Sequence, residues 1–177
     1  MTITIIAISG KQLVGKDLLT KLLLEELAEL GFSQFPIALG IKQEFSRTYG
    51  LTLGEIEDSK AMYRQSLIAM GQRRRMQDIN YWLRCVMQDT RPKIVSDLRL
   101  SHEYDFFKQK GAFLIRMEAN EETRAARGTL VATDDPTECE LDTIKSWDAV
   151  IENNGTVDDL KKQAKALAQK IKTLQAA

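Results

Sequence analysis

One glycine- and lysine-containing segment near the N-terminus constrains the fold more than any other feature of the chain. Its residues are Gly10, Lys11, Gln12, Leu13, Val14, Gly15, Lys16 and Asp17. The segment follows a β-branched apolar run at 2–8 and opens a helical pattern at 17–30, which is the Walker A spacing in its required position. Glycines let the backbone turn its amides inward, and a helix N-terminus adds positive potential. We therefore expect residues 10–17 to bind the phosphates of ATP.

The charged residues of this segment predict phosphoryl-transfer chemistry. Lys16 is expected to contact the β and γ phosphates of ATP. Asp17 stands where the motif usually has Ser or Thr, and a carboxylate can also bind Mg²⁺. Asp97 follows the predicted strand at 93–96, so Asp17 and Asp97 are the predicted magnesium ligands. The alternative for Asp97 is a cap for the helix that follows it.

The remaining pattern predicts an α/β fold with a doubly wound parallel sheet. Strands are expected at 2–8, 32–39, 93–96, 112–117 and 149–152, and helices lie between them. The 177 residues suit a single domain. Within it we predict acceptor-binding helices at about 40–90, broken by a basic kink at 73–75. A lid is predicted at about 121–142, with a loop at 129–140.

Basic side chains after the second predicted strand are candidates for binding a second substrate. Lys42 follows Gly40 at the end of that strand, and Lys60 and Arg64 have helical i, i+4 spacing. Arg75 belongs to a cluster of three consecutive arginines. For each of these residues alone, the alternative is a solvated surface cation.

Two further arginines predict a lid over the nucleotide. Arg124 and Arg127 precede Gly128, a pattern that resembles the hinged arginines of small kinases. Closure of such a segment excludes water and strengthens the contacts to phosphate. The alternative is an ordinary charged surface helix.

Composition narrows the choice of partners and compartment. The chain has 25 basic and 25 acidic residues, so its formal net charge is zero. This balance argues against a nucleic-acid or membrane-surface protein. The two cysteines have no metal-binding or disulfide spacing, and no apolar run is long enough to span a membrane. We expect a cytoplasmic monomer or homodimer with a small-molecule substrate.

At several points along the chain the sequence resembles the animal-type phosphomevalonate kinases. The resemblance covers nearly the whole chain in the same order, and its lid and C-terminal segments are the more diagnostic. The matching segments are 9–11 with 15–17, 95–97 with Arg99, 127–128, 134–135, 138–139, 141–142, 147–148, 150–153 and Gly155.

The resemblance implies a P-loop fold like that of nucleoside monophosphate kinases, with a small helical acceptor region and a short lid. It implies transfer of the γ-phosphoryl group of ATP to a phosphate on a small acceptor. The implied ATP contacts are the loop, Arg127 and Asn154. The implied acceptor contacts are Lys42, Arg75, Arg99 and Asn153. The chain departs from the family at Gln12, Leu13 and Leu100, where basic residues are usual.

Two alternatives stay open at this point. The run from Gly71 through Arg75 to Trp82 also resembles the phage-type deoxynucleoside monophosphate kinases, in which case Tyr81 or Trp82 would pack against a base. A non-catalytic ATP-binding regulatory module on the same fold would fit the lost loop hydroxyl and the missing cations. Release of ADP that depends on an acceptor would distinguish an enzyme from such a module.

Overall fold

A computed structural model describes residues 2–176 of the chain. Its strands are β1 Ile5–Ser9, β2 Ser33–Gln34, β3 Lys93–Leu98, β4 Phe113–Glu118 and β5 Ala149–Glu152. Its α-helices are α1 Lys16–Glu26, α2 Ile37–Tyr49, α3 Leu53–Asp58, α4 Lys60–Gln77, α5 Tyr81–Met87, α6 Ser101–Gln109, α7 Glu121–Arg127, α8 Pro136–Cys139 and α9 Val157–Ala176. The chain divides into two compact units, of which the second is Phe35–Thr90 and the first comprises the residues on either side of it.

The first unit is built on a parallel five-stranded sheet with the order β2-β3-β1-β4-β5. β1 lies at its centre, where Ile6 aligns with Ile94 of β3 on one side and with Phe113 of β4 on the other. At the carboxyl end, Ser9 aligns with Leu98. The segment that follows β1 and the end of β3 therefore meet at one edge of the sheet, where ligands bind in such folds.

Helices cover both faces of this sheet. On one face α1 packs against α9, and their apolar side chains join Ile6 and Ile8 in one buried core. Ala7 and Val95 have the opposite orientation along their strands and are also fully buried. The predicted doubly wound parallel sheet is confirmed.

The second unit is a cluster of the helices α2, α3, α4 and α5, and two glycines let three of them approach closely. A Cβ on Gly40 would lie 3.2 Å from the ring of Trp82, and one on Gly71 would lie 3.1 Å from Ile41 Cδ1. The indole N–H of Trp82 donates to the Gly71 carbonyl at 3.0 Å. Trp82 is therefore a buried core residue of this unit, and its polar atom has a partner.

Three local predictions were wrong. The strand expected at 32–39 is only Ser33–Gln34, because Pro36 adopts an extended conformation as the N-cap of α2. The kink expected at 73–75 does not occur, since α4 continues through these arginines to Gln77. The loop expected at 129–140 contains the short helix α8, which Asp135 caps by accepting from the Thr137 amide.

We expect Ile171→Ala to lower the free energy of unfolding by about 2–5 kcal/mol, because Ile171 is fully buried between α9 and the sheet. Denaturant unfolding followed by circular dichroism measures this loss. Leu174→Ala is the matched control, because Leu174 lies on the same helix with 41% of its surface exposed, and it should cost about 1 kcal/mol or less. Equal losses for the two variants would contradict the assignment of the core.

Candidate active site

The loop between β1 and α1 approaches its neighbours so closely that it requires glycine at two positions. Gly15 has φ 104°, and a Cβ there would lie 2.6 Å from Asn153 Nδ2. Gly10 has φ 157°, and a Cβ there would lie 2.6 Å from the Met117 carbonyl oxygen. Both contacts are closer than real Cβ atoms tolerate. A side chain at Gly10 would clash with the backbone of β4, and one at Gly15 would displace the Asn153 amide and strain the backbone at its positive φ.

Lys16 folds back over this loop. Its ammonium donates to the carbonyls of Gly10 at 2.6 Å and Lys11 at 2.8 Å. Burial is the main cause that lowers the pKa of Lys16 to about 8; the nearby Arg99 guanidinium acts in the same direction, and the carboxylates of Glu138, Asp17 and Asp97 oppose the shift. A strongly desolvated cation surrounded by loop carbonyls is suited to gain stabilisation from the phosphates of a nucleotide.

Two residues predicted to touch substrates, Arg127 and Asn153, hydrogen-bond to the loop backbone. The Arg127 guanidinium donates to the carbonyls of Leu13 at 3.3 Å and Val14 at 3.2 Å, and to the Asn153 carbonyl at 2.7 Å. Asn153 is buried, and its side-chain amide donates to Val14 at 2.8 Å. These contacts give Asn153 a supporting role for the loop, and its expected contact with the acceptor stays a prediction. Arg127 reaches the same loop from the predicted lid.

Asp17 and Asp97 approach the Lys16 ammonium from two elements. Asp17 is exposed in the first turn of α1, and Asp97 is half-buried near the end of β3. Each attracts the ammonium electrostatically. No group of three or more His, Cys, Asp or Glu side chains within residues 2–176 could hold a metal by itself. One or two carboxylates together with nucleotide phosphates are, however, the usual ligands of Mg²⁺, so this pair fits that ion.

Arg99 follows β3 and is held by a carboxylate of the predicted lid. Its guanidinium donates to Glu138 Oε1 at 2.5 Å and to the Thr137 carbonyl at 3.3 Å. The other oxygen of Glu138 accepts the backbone N–H of Gln12 at 2.7 Å. Glu138 therefore joins a loop amide to the arginine that was expected to bind the acceptor.

The loop side chains contact the same lid segment. The Gln12 side chain donates to the Val131 carbonyl at 2.7 Å and accepts the Val131 amide at 3.1 Å. Lys11 forms an ion pair with Asp142 at 2.7 Å. Asp142 also pairs with Arg116 of β4 at 2.5 Å, and the two basic residues lower the pKa of its carboxyl despite partial burial. The lid is thus fastened to the loop at Val131 and at Asp142.

A cavity of about 270 Å³ lies beside these contacts. Its lining residues are Lys11, Val14, Arg116, Met117, Glu118, Ala119 and Asp142. The cavity borders the loop and the carboxyl end of β4, so it lies at the edge of the sheet where the sequence predicts nucleotide binding.

Arg124 and Asn154 occupy different environments. Arg124 on α7 is only 6% exposed, and its Nε has no hydrogen-bond partner among the described residues. A buried and unsatisfied arginine nitrogen is costly unless another group satisfies it, which keeps Arg124 a candidate for contact with ATP. Asn154 is exposed, and its side-chain oxygen accepts the Asn120 amide at 2.8 Å.

The remaining acceptor candidates lie in the second unit. Lys42 pairs with Glu57, whose other oxygen accepts from Lys60 at 2.9 Å. These two ammonium groups lower the pKa of the exposed Glu57 carboxyl. Arg64 is exposed and Arg75 is half-buried. The proposed binding of the acceptor by Lys42, Arg64 and Arg75 stays a prediction.

Sequence reasoning missed Glu138 and Arg116 as members of the site. Arg116 is buried in the middle of β4, where it donates to the Ser9 hydroxyl and pairs with Asp142. A charged residue inside an otherwise apolar strand was a usable signal, because such a residue needs a partner. Glu138 gave no comparable signal, since it lies in a polar segment with several other acids.

Comparisons with known proteins agree with this geometry. The family model described as phosphomevalonate kinase matches residues 8–113, and the model described as deoxynucleotide monophosphate kinase matches residues 74–164. The phosphomevalonate kinase of Drosophila melanogaster is 29% identical over 171 residues, which covers 87% of this chain and 90% of that protein.

Solved structures with the same fold include two shikimate kinases. The enzyme from Aquifex aeolicus superimposes with a TM-score of 0.51 at 16% identity, covering 96% of this chain and 98% of that one. The enzyme from Acinetobacter baumannii, solved in complex with shikimate, gives a TM-score of 0.51 at 18% identity, with coverages of 98% and 93%. At these identities the likeness shows the fold alone, and it confirms the expected P-loop kinase architecture.

The Lys16 ammonium should titrate with a midpoint near pH 8, because burial disfavours its charged form. The midpoint can be measured by NMR on protein with ¹³C-labelled lysine, in which Lys16→Met removes the Lys16 signal and so assigns it. ATP should raise the midpoint, because the phosphate oxygens stabilise the ammonium. A midpoint at the ordinary lysine value of 10.5 would contradict the buried position.

The same shift predicts a pH dependence of stability. Between pH 8 and 10.5 the unfolded chain keeps its proton on Lys16 while the folded protein loses it. The unfolded state therefore binds more protons, and the penalty that the buried Lys16 ammonium imposes on folding falls as the pH rises through this window. The difference in free energy of unfolding between the wild-type chain and Lys16→Met should rise over the same interval.

Proposed function

We propose that phosphomevalonate or a close analogue is the acceptor, because the chain belongs to the phosphomevalonate kinase family. By the match over residues 74–164 the chain also belongs to the deoxynucleotide monophosphate kinase family. The chain is an ATP-dependent phosphotransferase whose acceptor carries a phosphate. The match to the fly phosphomevalonate kinase extends over most of both chains. That match favours this acceptor over a nucleotide.

The proposed mechanism rests on one observation. Two cations, Lys16 and Arg99, lie close together at the edge of the sheet. The Arg99 guanidinium is close enough to the Lys16 ammonium to lower its pKa. Two like charges are costly at short range unless anions lie between them. A donor phosphate at Lys16 and an acceptor phosphate at Arg99 would supply those anions and bring the two reactants together.

In this mechanism the loop amides and Lys16 bind the β and γ phosphates of ATP. Arg99 of the first unit orients the acceptor phosphate. Lys42, Arg64 and Arg75 of the second unit stay candidate ligands of the acceptor. A phosphate oxygen is already a competent nucleophile near neutral pH, so no side chain has to remove a proton. Positioning and charge stabilisation are the main contributions of the protein.

Arg127, Arg124 and Asn154 complete the proposed nucleotide site. Arg127 braces the loop carbonyls and would face the transferring group when the lid closes. Asp17 and Asp97 are the proposed ligands of Mg²⁺, which neutralises charge on the transferring phosphates in enzymes of this kind.

A nucleoside monophosphate is the second candidate acceptor. The observation in its favour is the match of residues 74–164 to the deoxynucleotide monophosphate kinase model. That span begins at the end of the basic helix α4 and includes Arg75 and Arg99. The base would need an aromatic neighbour, and Trp82 is buried in the core of the second unit, which leaves Tyr81 as the candidate.

The proposed compartment is the cytoplasm. Both cysteines, Cys85 and Cys139, are free, as is usual in a reducing compartment. None of the helices within residues 2–176 combines the length and the apolar character needed to cross a bilayer. We propose a monomer or a homodimer that acts on small molecules.

Release of ADP that depends on the acceptor tests the proposal. Phosphomevalonate should stimulate release from the wild-type chain far more than deoxynucleoside monophosphates or dephospho-coenzyme A. Lys16→Met should lower kcat about a hundredfold or more, because it removes the donor nearest the transferring charge. ATP binding without ADP release for any acceptor would instead indicate a regulatory module.

Arg99→Ala and Arg75→Ala should raise the KM for the acceptor about tenfold or more, a far larger change than either variant makes in the Kd for ATP. Each removes a charge-assisted hydrogen bond to the acceptor phosphate. Steady-state kinetics with the best acceptor measures the first quantity, and calorimetry measures the second. Arg47→Ala is the control, since Arg47 is exposed in the last turn of α2. A change confined to ATP affinity would remove these arginines from the acceptor site.

A further inference from the structure

The side chain of Glu138 contacts the two kinds of group that bind phosphates in proteins, a backbone N–H and a guanidinium. Its Oε2 accepts the backbone N–H of Gln12 at 2.7 Å. Its Oε1 accepts from the Arg99 guanidinium at 2.5 Å. Only 8% of the Glu138 side chain is exposed, so this carboxylate is desolvated. Charge-assisted hydrogen bonds of this type are the strong ones.

Both partners of Glu138 have roles in the proposed function. The Gln12 amide belongs to the loop that is proposed to hold the donor phosphates, and Arg99 is the proposed ligand of the acceptor phosphate. The Lys16 ammonium is close enough to be stabilised by the same carboxylate. A carboxylate and a phosphate group both present oxygens with negative charge. The two cannot use the same N–H donors at once.

The segment that carries Glu138 is fastened independently of it. The Gln12 side chain pairs with the Val131 backbone on the N-terminal side. On the C-terminal side, Glu140 accepts the Ser101 amide at 2.8 Å, and Asp142 pairs with Lys11 and Arg116. Glu138 can therefore leave the loop by a local movement while the rest of the segment stays attached.

We propose that Glu138 is an internal competitor of the substrate phosphates, which sets the affinity of the site and couples its two halves. The proposal rests on the proposed function, because it takes the loop and Arg99 as phosphate ligands. ATP has to displace the carboxylate from the Gln12 amide. Displacement of the carboxylate also frees the Arg99 guanidinium, so that binding of ATP makes Arg99 available to the acceptor phosphate. Weakly charged anions cannot displace the carboxylate, and the site thereby selects polyphosphates.

A purely structural brace makes the opposite prediction. If Glu138 only held the lid in place, its neutralisation would loosen the site and weaken the binding of nucleotide. If it competes with phosphate, its neutralisation strengthens binding. The direction of the change in affinity therefore separates the two roles.

Calorimetric binding of ATP and of inorganic tripolyphosphate to Glu138→Gln is the test. Glutamine keeps the shape of the side chain but removes its charge, so the Kd of both ligands should fall about tenfold relative to the wild-type chain. An unchanged or higher Kd in a folded variant overturns the proposal. Glu138→Ala should lower the Kd in the same direction, and thermal unfolding verifies that each variant is folded.

Glu140→Gln is the matched control. It makes the same change two residues along the segment, where the carboxylate contacts the Ser101 amide instead of the loop. Its Kd for ATP should stay within about twofold of the wild-type value. Equal tightening by Glu140→Gln would mean that the effect does not come from the contacts of Glu138 with the Gln12 amide and Arg99, and would overturn the proposal.

The outcomes also separate this proposal from the proposed function. Loss of ATP binding in Lys16→Met, with tight binding in the wild-type chain, supports the loop assignment without reference to Glu138. If the wild-type chain binds neither ATP nor tripolyphosphate, the proposed function fails. If Lys16-dependent binding is present and Glu138→Gln binds no more tightly, only the competitor role fails.

Discussion

The organisation of the first unit depends on how the carbonyls of the loop after β1 are satisfied. Lys16 donates to two of these carbonyls, Arg127 donates to two more, and Asn153 also donates to the one at Val14. These three side chains come from α1, from α7 and from the segment after β5. With its carbonyls held in this way, the loop can turn amides such as that of Gln12 toward an anion. The glycines at its ends make the close approach sterically possible.

Electrostatic balance is the second organising principle of the site. The chain has no net charge, and the basic groups around the loop are matched locally by acids of the lid segment. Lys11 and Arg116 share Asp142, and Arg99 is paired with Glu138. A positive site that already holds carboxylates avoids the cost of clustered, desolvated cations. On the proposed function, substrate phosphates would exchange with these protein carboxylates and would not simply add to a bare cationic surface.

The sequence predicted those features whose signals are local. The loop at 10–17, the strand before it and the alternation of strands and helices follow from spacing and periodicity, and all three were recovered. The boundary at Pro36 was missed because the apolar residues after it suit a strand and a helix equally well, and the proline cap decides between them. The contacts of Asn153, Arg127 and Glu138 join distant parts of the chain. No pattern within a single segment specifies them.

The hydrogen bond between Asn153 and the Val14 carbonyl joins residues 139 positions apart. The central strand β1 precedes its two partners β3 and β4 in the chain, so both are synthesised after it. A nascent chain that carries the complete glycine-lysine motif therefore lacks the asparagine and the arginine that fix its loop. Competence to hold nucleotide arises late in synthesis, and the contacts of high sequence separation that provide it make folding slow relative to a helical domain of this size.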